Sequence, residues 1–163
     1  MAAAVNTVPC AFDAVEEEFG STVRLVEPRA RILSVSESQT DHTALRRIVD
    51  NTQWRLTTAA SCHEAFEKLC HLYPLVVFSE CTLPDGTWKD VLELILRLDE
   101  PYPLLVVTSR LADDSLWSEV LHRGGHDVLM KPLVEEEVRR VLESVWTHRA
   151  HPIRHTRILR AGS

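Results

Sequence analysis

Apolar residues along this chain settle into two alternating rhythms once an irregular start is past. Over residues 1–29, Phe12, Val15 and Phe19 would line one side of a short helix, but Gly20 and Pro28 interrupt it. That segment reads as an arm or linker. From Ala30 onward, short apolar runs predict strands: ILSVS (32–36), WRLTTA (54–59), PLVVFSE (74–80), YPLLVVTS (102–109) and HDVLMKP (126–132). The third run is continuously apolar until its final acid, as expected for a strand buried on both faces.

Between the strands the spacing lengthens to that of helices. Leu45, Ile48 and Val49 recur through ALRRIVDN (44–51), and Ala65, Phe66, Leu69 and Leu72 through EAFEKLCHL (64–72). LPDG (83–86) predicts a turn before the apolar helix VLELILRL (91–98). DDSLWSEVLHRGG (113–125) has acids at its start and glycines at its end, the polarity a helix prefers. LVEEEVRRVLESVW (133–146) places Val134, Val138, Val141, Leu142 and Val145 on one buried side. Five strands alternating with five helices predict an α/β protein: a parallel sheet in the middle of three layers, doubly wound with helices on both faces. The organisation that follows is an arm at 1–29, one domain at 30–147 and a tail at 148–163.

Charge changes this picture at one end. Eighteen basic and 24 acidic side chains give a net charge of -6, which argues against nucleic acid as a partner of the whole chain. From Thr147 onward, however, Arg149, Arg154, Arg157 and Arg160 face no acid, so the tail carries +4 and the rest about -10. The first residues have neither a basic region nor an uninterrupted apolar stretch, so no signal peptide is expected, and no apolar run approaches a membrane span. The four cysteines have no paired spacing, so free thiols and a cytoplasmic location are expected.

In an open parallel sheet, ligands bind beyond the carboxyl ends of the strands. Those ends carry Ser36 and Glu37, then Glu80, then Thr108 and Ser109, then Lys131. Two carboxylates, several hydroxyls and an ammonium would suit a divalent cation or a phosphoryl group. Taken singly, each residue is also what any solvent-facing strand end carries.

Together these segments resemble a family. RILSVSESQTDHTALRRIV, TTAASCHEAFEKL, PLVVFSECTLPDGTWKDVLELI, LLVVTSR and GGHDVLMKPL follow one another as in the receiver domain of two-component response regulators, over about seven-tenths of the chain. The resemblance implies the flavodoxin-like (βα)5 fold with strand order 2-1-3-4-5, and a cis bond between Lys131 and Pro132. It implies a signalling domain, not an enzyme, whose partners are proteins such as a histidine kinase or a downstream effector. Because no output domain fits into the 16 or 17 residues after the last helix, it is expected to stand alone. The face formed by helix 4, strand 5 and helix 5 would be the partner or homodimer surface. Membrane is not expected as a partner.

The family's chemistry carries over in part. In a typical receiver, two acids after strand 1 hold Mg2+ and an Asp ending strand 3 accepts a phosphoryl group. A Thr or Ser and a Lys bind the phosphoryl oxygens, and an aromatic on strand 5 reports the change. Here Thr108 and Lys131 match. Glu80 stands at the acceptor position, Ser36 replaces the first acid, and Val128 replaces the aromatic. Glu37, Glu80 and Thr82 are the equivalents of the metal site, so a weak Mg2+ site or no cofactor is expected. Serine at 36 removes one negative charge facing a cation that demands strict geometry. Glutamate is longer than aspartate by one methylene, roughly 1.5 Å, and a displacement of about 1 Å can cost on the order of 100-fold in rate. Phosphorylation is therefore expected to be impaired or absent. The longer side chain would also bring the Glu80 carboxylate within reach of Thr108 and Lys131, where it would imitate a phosphoryl group or simply pair with the lysine.

Other features carry less. Cys62-His63 and Cys70-His71 lie eight apart on a helix, about 12 Å along its axis, too far for one zinc ion. Cys81 adjoins the strand ends, where Lys131 would lower its pKa, although a small buried residue is its simpler role. His148, His151 and His155 would chelate only if helical, which Pro152 opposes. Trp117, beside Leu116, Val120 and Leu121, is first expected in the core; exposed, it would mark the partner surface. Alternatives are a phosphorylatable receiver tolerating Glu80, and a small α/β enzyme or ligand-binding protein using the strand-end pocket. No glycine-rich phosphate loop or nucleophile elbow supports the last.

Overall fold

A computed structural model describes residues 30–150, so the N-terminal arm and all but the first few residues of the basic tail lie outside the described residues. In chain order the elements are β1 (Arg31–Val35), α1 (Gln39–Val49), β2 (Arg55–Ala59), α2 (Cys62–Leu72) and β3 (Val76–Glu80). They continue with β4 (Thr82–Leu83), β5 (Gly86–Thr87), α3 (Trp88–Leu96), β6 (Leu104–Ser109), α4 (Asp114–Arg123), β7 (Asp127–Met130) and α5 (Glu135–Ala150). β4 and β5 form a separate small hairpin, so the segment expected as a bare turn is itself paired. The other five strands make one parallel sheet in the order β2-β1-β3-β6-β7, which is 2-1-3-4-5 when the main strands alone are counted.

Alternation along the inner strands divides the core in two. Leu33, Val35, Val77, Leu105 and Val107 face α2, α3 and α4, where Leu69, Val91, Ile95 and Val120 close the layer. Ile32, Val76, Phe78, Val106 and Leu129 face α1 and α5, packing with Leu45, Ile48, Val138, Val141 and Val145. Trp54 and Trp146 finish that side as a T-shaped pair with ring centroids 6.1 Å apart. Every strand of the five-stranded sheet runs the same way, so all five carboxyl ends open on the same edge. This places the candidate site.

Local chemistry sets the helix ends. Ser61 accepts from the backbone N–H of Glu64, and Asp113 from that of Leu116; Thr87 and Asp90 form a capping box on α3. α4 stops at Gly124, whose φ of 104° is left-handed, and Gly125 lies so close to Val120 that a Cβ would meet its side chain at 2.4 Å. The Lys131–Pro132 bond is cis, as the resemblance implied, and so is Glu100–Pro101.

Three expectations need correction. Helix α1 begins at Gln39, earlier than the apolar spacing indicated, because its first turn is polar and faces the strand-end pocket. Val134 precedes α5 and is 50% exposed instead of joining its buried side. α5 itself continues to Ala150, past the boundary placed at 147 and including His148.

Candidate functional site

β1 ends at Val35, and Ser36 follows it, buried, with its N–H donating to Ala59 O at 2.9 Å. β3 ends on Glu80, directly beside Thr108 of β6 in the register, and Lys131 follows β7. Lys131 is the hub. Its Nζ donates to Glu80 Oε1 at 2.6 Å and to Asp41 Oδ2 at 2.5 Å, and its side chain is only 5% exposed. The Ser36 hydroxyl lies 2.8 Å from both Glu80 Oε2 and Asp41 Oδ2, and accepts from the N–H of Ser38 at 3.0 Å. A hydroxyl has one proton, so it serves one carboxylate at a time. Two acids, one ammonium and one hydroxyl thus form a ring whose last link is the Ser36 proton, made to one carboxylate at a time.

Asp41 was not singled out by the sequence. It lies in the first turn of α1, where a short connection from β1 brings the helix start over the carboxyl edge of the sheet. The available signal was an acid five positions after Ser36, on a helix whose apolar pattern begins only at Leu45. The acid missing at position 36 is therefore replaced in space by a carboxylate from α1.

His42, next to Asp41, is buried and supports the same ring. Its Nε2 donates to Ser36 O at 2.9 Å; the other nitrogen, Nδ1, then accepts from the Ser34 hydroxyl at 3.0 Å. Burial, the largest influence, holds the His42 pKa below its ordinary 6.5. Above pH 6.5 the imidazole is neutral whether folded or unfolded. Below it, the unfolded chain takes up a proton that the folded one refuses, so stability falls with pH, by at most about 1.4 kcal/mol per unit. We expect urea midpoints at pH 7.5 and 5.5 to differ more for the wild type than for His42→Gln. Equal differences would remove His42 from this role.

The remaining expected residues are less gathered. Thr108 is buried beside Glu80, yet no hydrogen bond joins the two among the described residues. Glu37 and Thr82 are exposed. Asp41 and Glu80 are already engaged by Lys131, and among the described residues no group of three His, Cys, Asp or Glu side chains is placed to hold a metal ion. The donor set as arranged does not fit Mg2+. Val128 is half-buried on the edge strand β7.

Two expectations are reversed here. Trp117 is not in the core but 50% exposed. The Cys81 thiol is pushed up, not down: burial dominates, and the ammonium nearby in its electrostatics is Lys89 rather than Lys131. Cys62 is likewise raised, to about 11, by burial first and by Asp85 next. Neither thiol is poised to react.

A central parallel sheet of this order, with an acid, a hydroxyl and a buried lysine at its strand ends, is the arrangement that the receiver resemblance implied. The family model for the response regulator receiver domain matches residues 32–143, and the chain belongs to that family. Its flavodoxin-like fold is shared by solved structures of low identity. A two-component response regulator from Clostridium difficile superposes with a TM-score of 0.67 at 20% identity, covering 75% of this chain and 99% of the other. The chemotaxis response regulator CheY4 of Vibrio cholerae gives 0.65 at 19%, covering 71% and 98%. The receiver domain of a Pseudomonas aeruginosa sensor histidine kinase, solved with magnesium coordinated in its active-site cleft, gives 0.62 at 19%, covering 71% and 95%. No curated protein matches. This chain carries a receiver domain of two-component signalling, and no described helix is long and apolar enough to cross a membrane.

Proposed function

We propose that this receiver domain signals through protein contacts that do not depend on phosphorylation at position 80. The observation that carries this is Lys131, whose ammonium is held by Glu80 at 2.6 Å and Asp41 at 2.5 Å. A phosphoryl group arriving at the pocket would need that ammonium and a free carboxylate oxygen. One Glu80 oxygen is engaged by Lys131, and the other lies 2.8 Å from the Ser36 hydroxyl, whose single proton it shares with Asp41. Phosphoryl transfer depends on positioning and charge neutralisation, and the longer acceptor together with serine at position 36 weakens both. The lysine that the family uses on phosphoryl oxygens is instead held by two carboxylates of the same domain.

On this reading the domain is cytoplasmic, catalyses no reaction, and is recognised by a histidine kinase or a downstream effector. The surface built by α4, β7 and α5, with Trp117 at its centre, is the contact face for that partner or for a second copy. A small phosphodonor such as acetyl phosphate, with excess Mg2+ and intact-mass detection, tests the central claim. We expect no phosphoryl adduct on the wild type. A stoichiometric adduct located on Glu80 by fragmentation would instead make this a phosphorylatable receiver that tolerates glutamate.

A further inference from the structure

Between α4, β7 and the first half of α5 lies an open groove of about 450 Å³. Trp117, Val128 and Met130 supply its apolar surface, and Asp113, Asp114 and Glu137 its acidic rim. Trp117 is 50% and Met130 54% exposed, so two large apolar side chains meet water in this one groove. Arg140 also lines the groove, but its guanidinium is directed to Asp127 at 3.4 Å, leaving the acids of the rim unmatched by it. Valine at position 128 is a small side chain and leaves the space beside Trp117 unfilled.

The same chain carries a segment of complementary chemistry. Residues 151–163, HPIRHTRILRAGS, bear Arg154, Arg157 and Arg160 without an acid, interspersed with Ile153, Ile158 and Leu159. This segment leaves the domain at Ala150, the last residue of α5. From there to Glu137 is about 20 Å along the helix at 1.5 Å per residue. Arg157 and Arg160 lie seven and ten residues beyond Ala150, which when extended reach roughly 23–36 Å, so this stretch can turn back alongside α5 and arrive at the rim. A tethered segment also meets its site at an effective concentration in the millimolar range.

We infer that the basic segment 151–163 docks in cis in the α4–β7–α5 groove, its isoleucine and leucine side chains against Trp117 and its arginines on Asp113, Asp114 and Glu137. The docking does not depend on how the face is used. Its consequence, that the tail competes with a partner for Trp117, rests on the contact face proposed above.

Indole N–H cross-peaks of the 15N-labelled full chain test this, each assigned by its own Trp→Phe substitution. We expect the Trp117 peak to shift in the variant Arg154→Glu/Arg157→Glu/Arg160→Glu while those of Trp54 and Trp88 stay in place. Raising salt from about 50 to about 500 mM should move the wild-type Trp117 peak toward the variant position, since these charges are exposed and screened. Adding the free 151–163 peptide to the variant should return it. An unchanged Trp117 peak in the variant and across the salt series overturns the inference. So does movement at Trp54 or Trp146 instead, which would seat the tail against that pair. A Trp117 shift that depends on protein concentration would assign the groove to a second copy's tail and overturn docking in cis. None of these results bears on the phosphodonor experiment.

Discussion

Replacing Lys131 with methionine should lower the unfolding free energy by about 3 kcal/mol, the scale on which removing one partner breaks a buried ion pair. Methionine preserves most of the apolar stem, so the loss is electrostatic. It leaves the Asp41 and Glu80 carboxylates, both previously held by one ammonium, facing each other across Ser36. These acids are 15% and 26% exposed, so water recovers part of the cost, and the low end of the usual range is the proper expectation. Urea unfolding at pH 7 measures it. Adding Asp41→Asn and Glu80→Gln removes the repulsion and should recover at least half of the loss, because a neutral polar cluster asks for no counter-charge. A loss below about 1 kcal/mol for Lys131→Met alone would mean that the ring does not hold the site together.

Phe78→Ala should cost about 3–5 kcal/mol, as truncation of a buried aromatic typically does. Phe78 lies on the central strand β3, is 1% exposed, and packs in the layer formed with α1 and α5. The buried residues of that layer come from β1, α1, β6, β7 and α5 as well as β3 itself, so none can move in to fill the hole without breaking other contacts. Far-UV circular dichroism through a thermal ramp should show one cooperative transition at a much lower midpoint. Phe78→Leu, which keeps most of the volume, should cost less than half as much. If the two variants were equally stable, the site would be collapsible and the layer less tightly packed than it looks.

The strands were legible because three of them are buried on both faces, which writes a continuous apolar run such as LVVF into the chain. Helix starts were less legible. The first turn of α1 is polar because it faces the pocket, so apolar spacing could not reveal Asp41 or the buried polar role of His42. Serine at position 36 looked like a lost charge, but the charge had moved to another element, and only three-dimensional placement shows that. Trp117 and Val134 failed for a related reason. Helical spacing identifies a face, but it cannot say whether anything in the same chain covers that face.

The hairpin after β3 has a mechanical consequence. Asp85, in its turn, accepts from the backbone N–H groups of Cys62 and His63 at 2.8 and 3.0 Å, so a residue just beyond the pocket acid closes the start of a helix two elements earlier. Gly86 lets the hairpin lie this close to the two helices: a Cβ there would meet Asp90 of α3 at 2.5 Å and the Cys62 sulfur of α2 at 3.1 Å. The segment carrying Glu80 outward is thereby riveted to α2, and through the Thr87 cap to α3. A hinge requires a joint that can open independently, and here the flanks of the pocket share their fasteners. The rim on this side is an abutment braced by two helices at once.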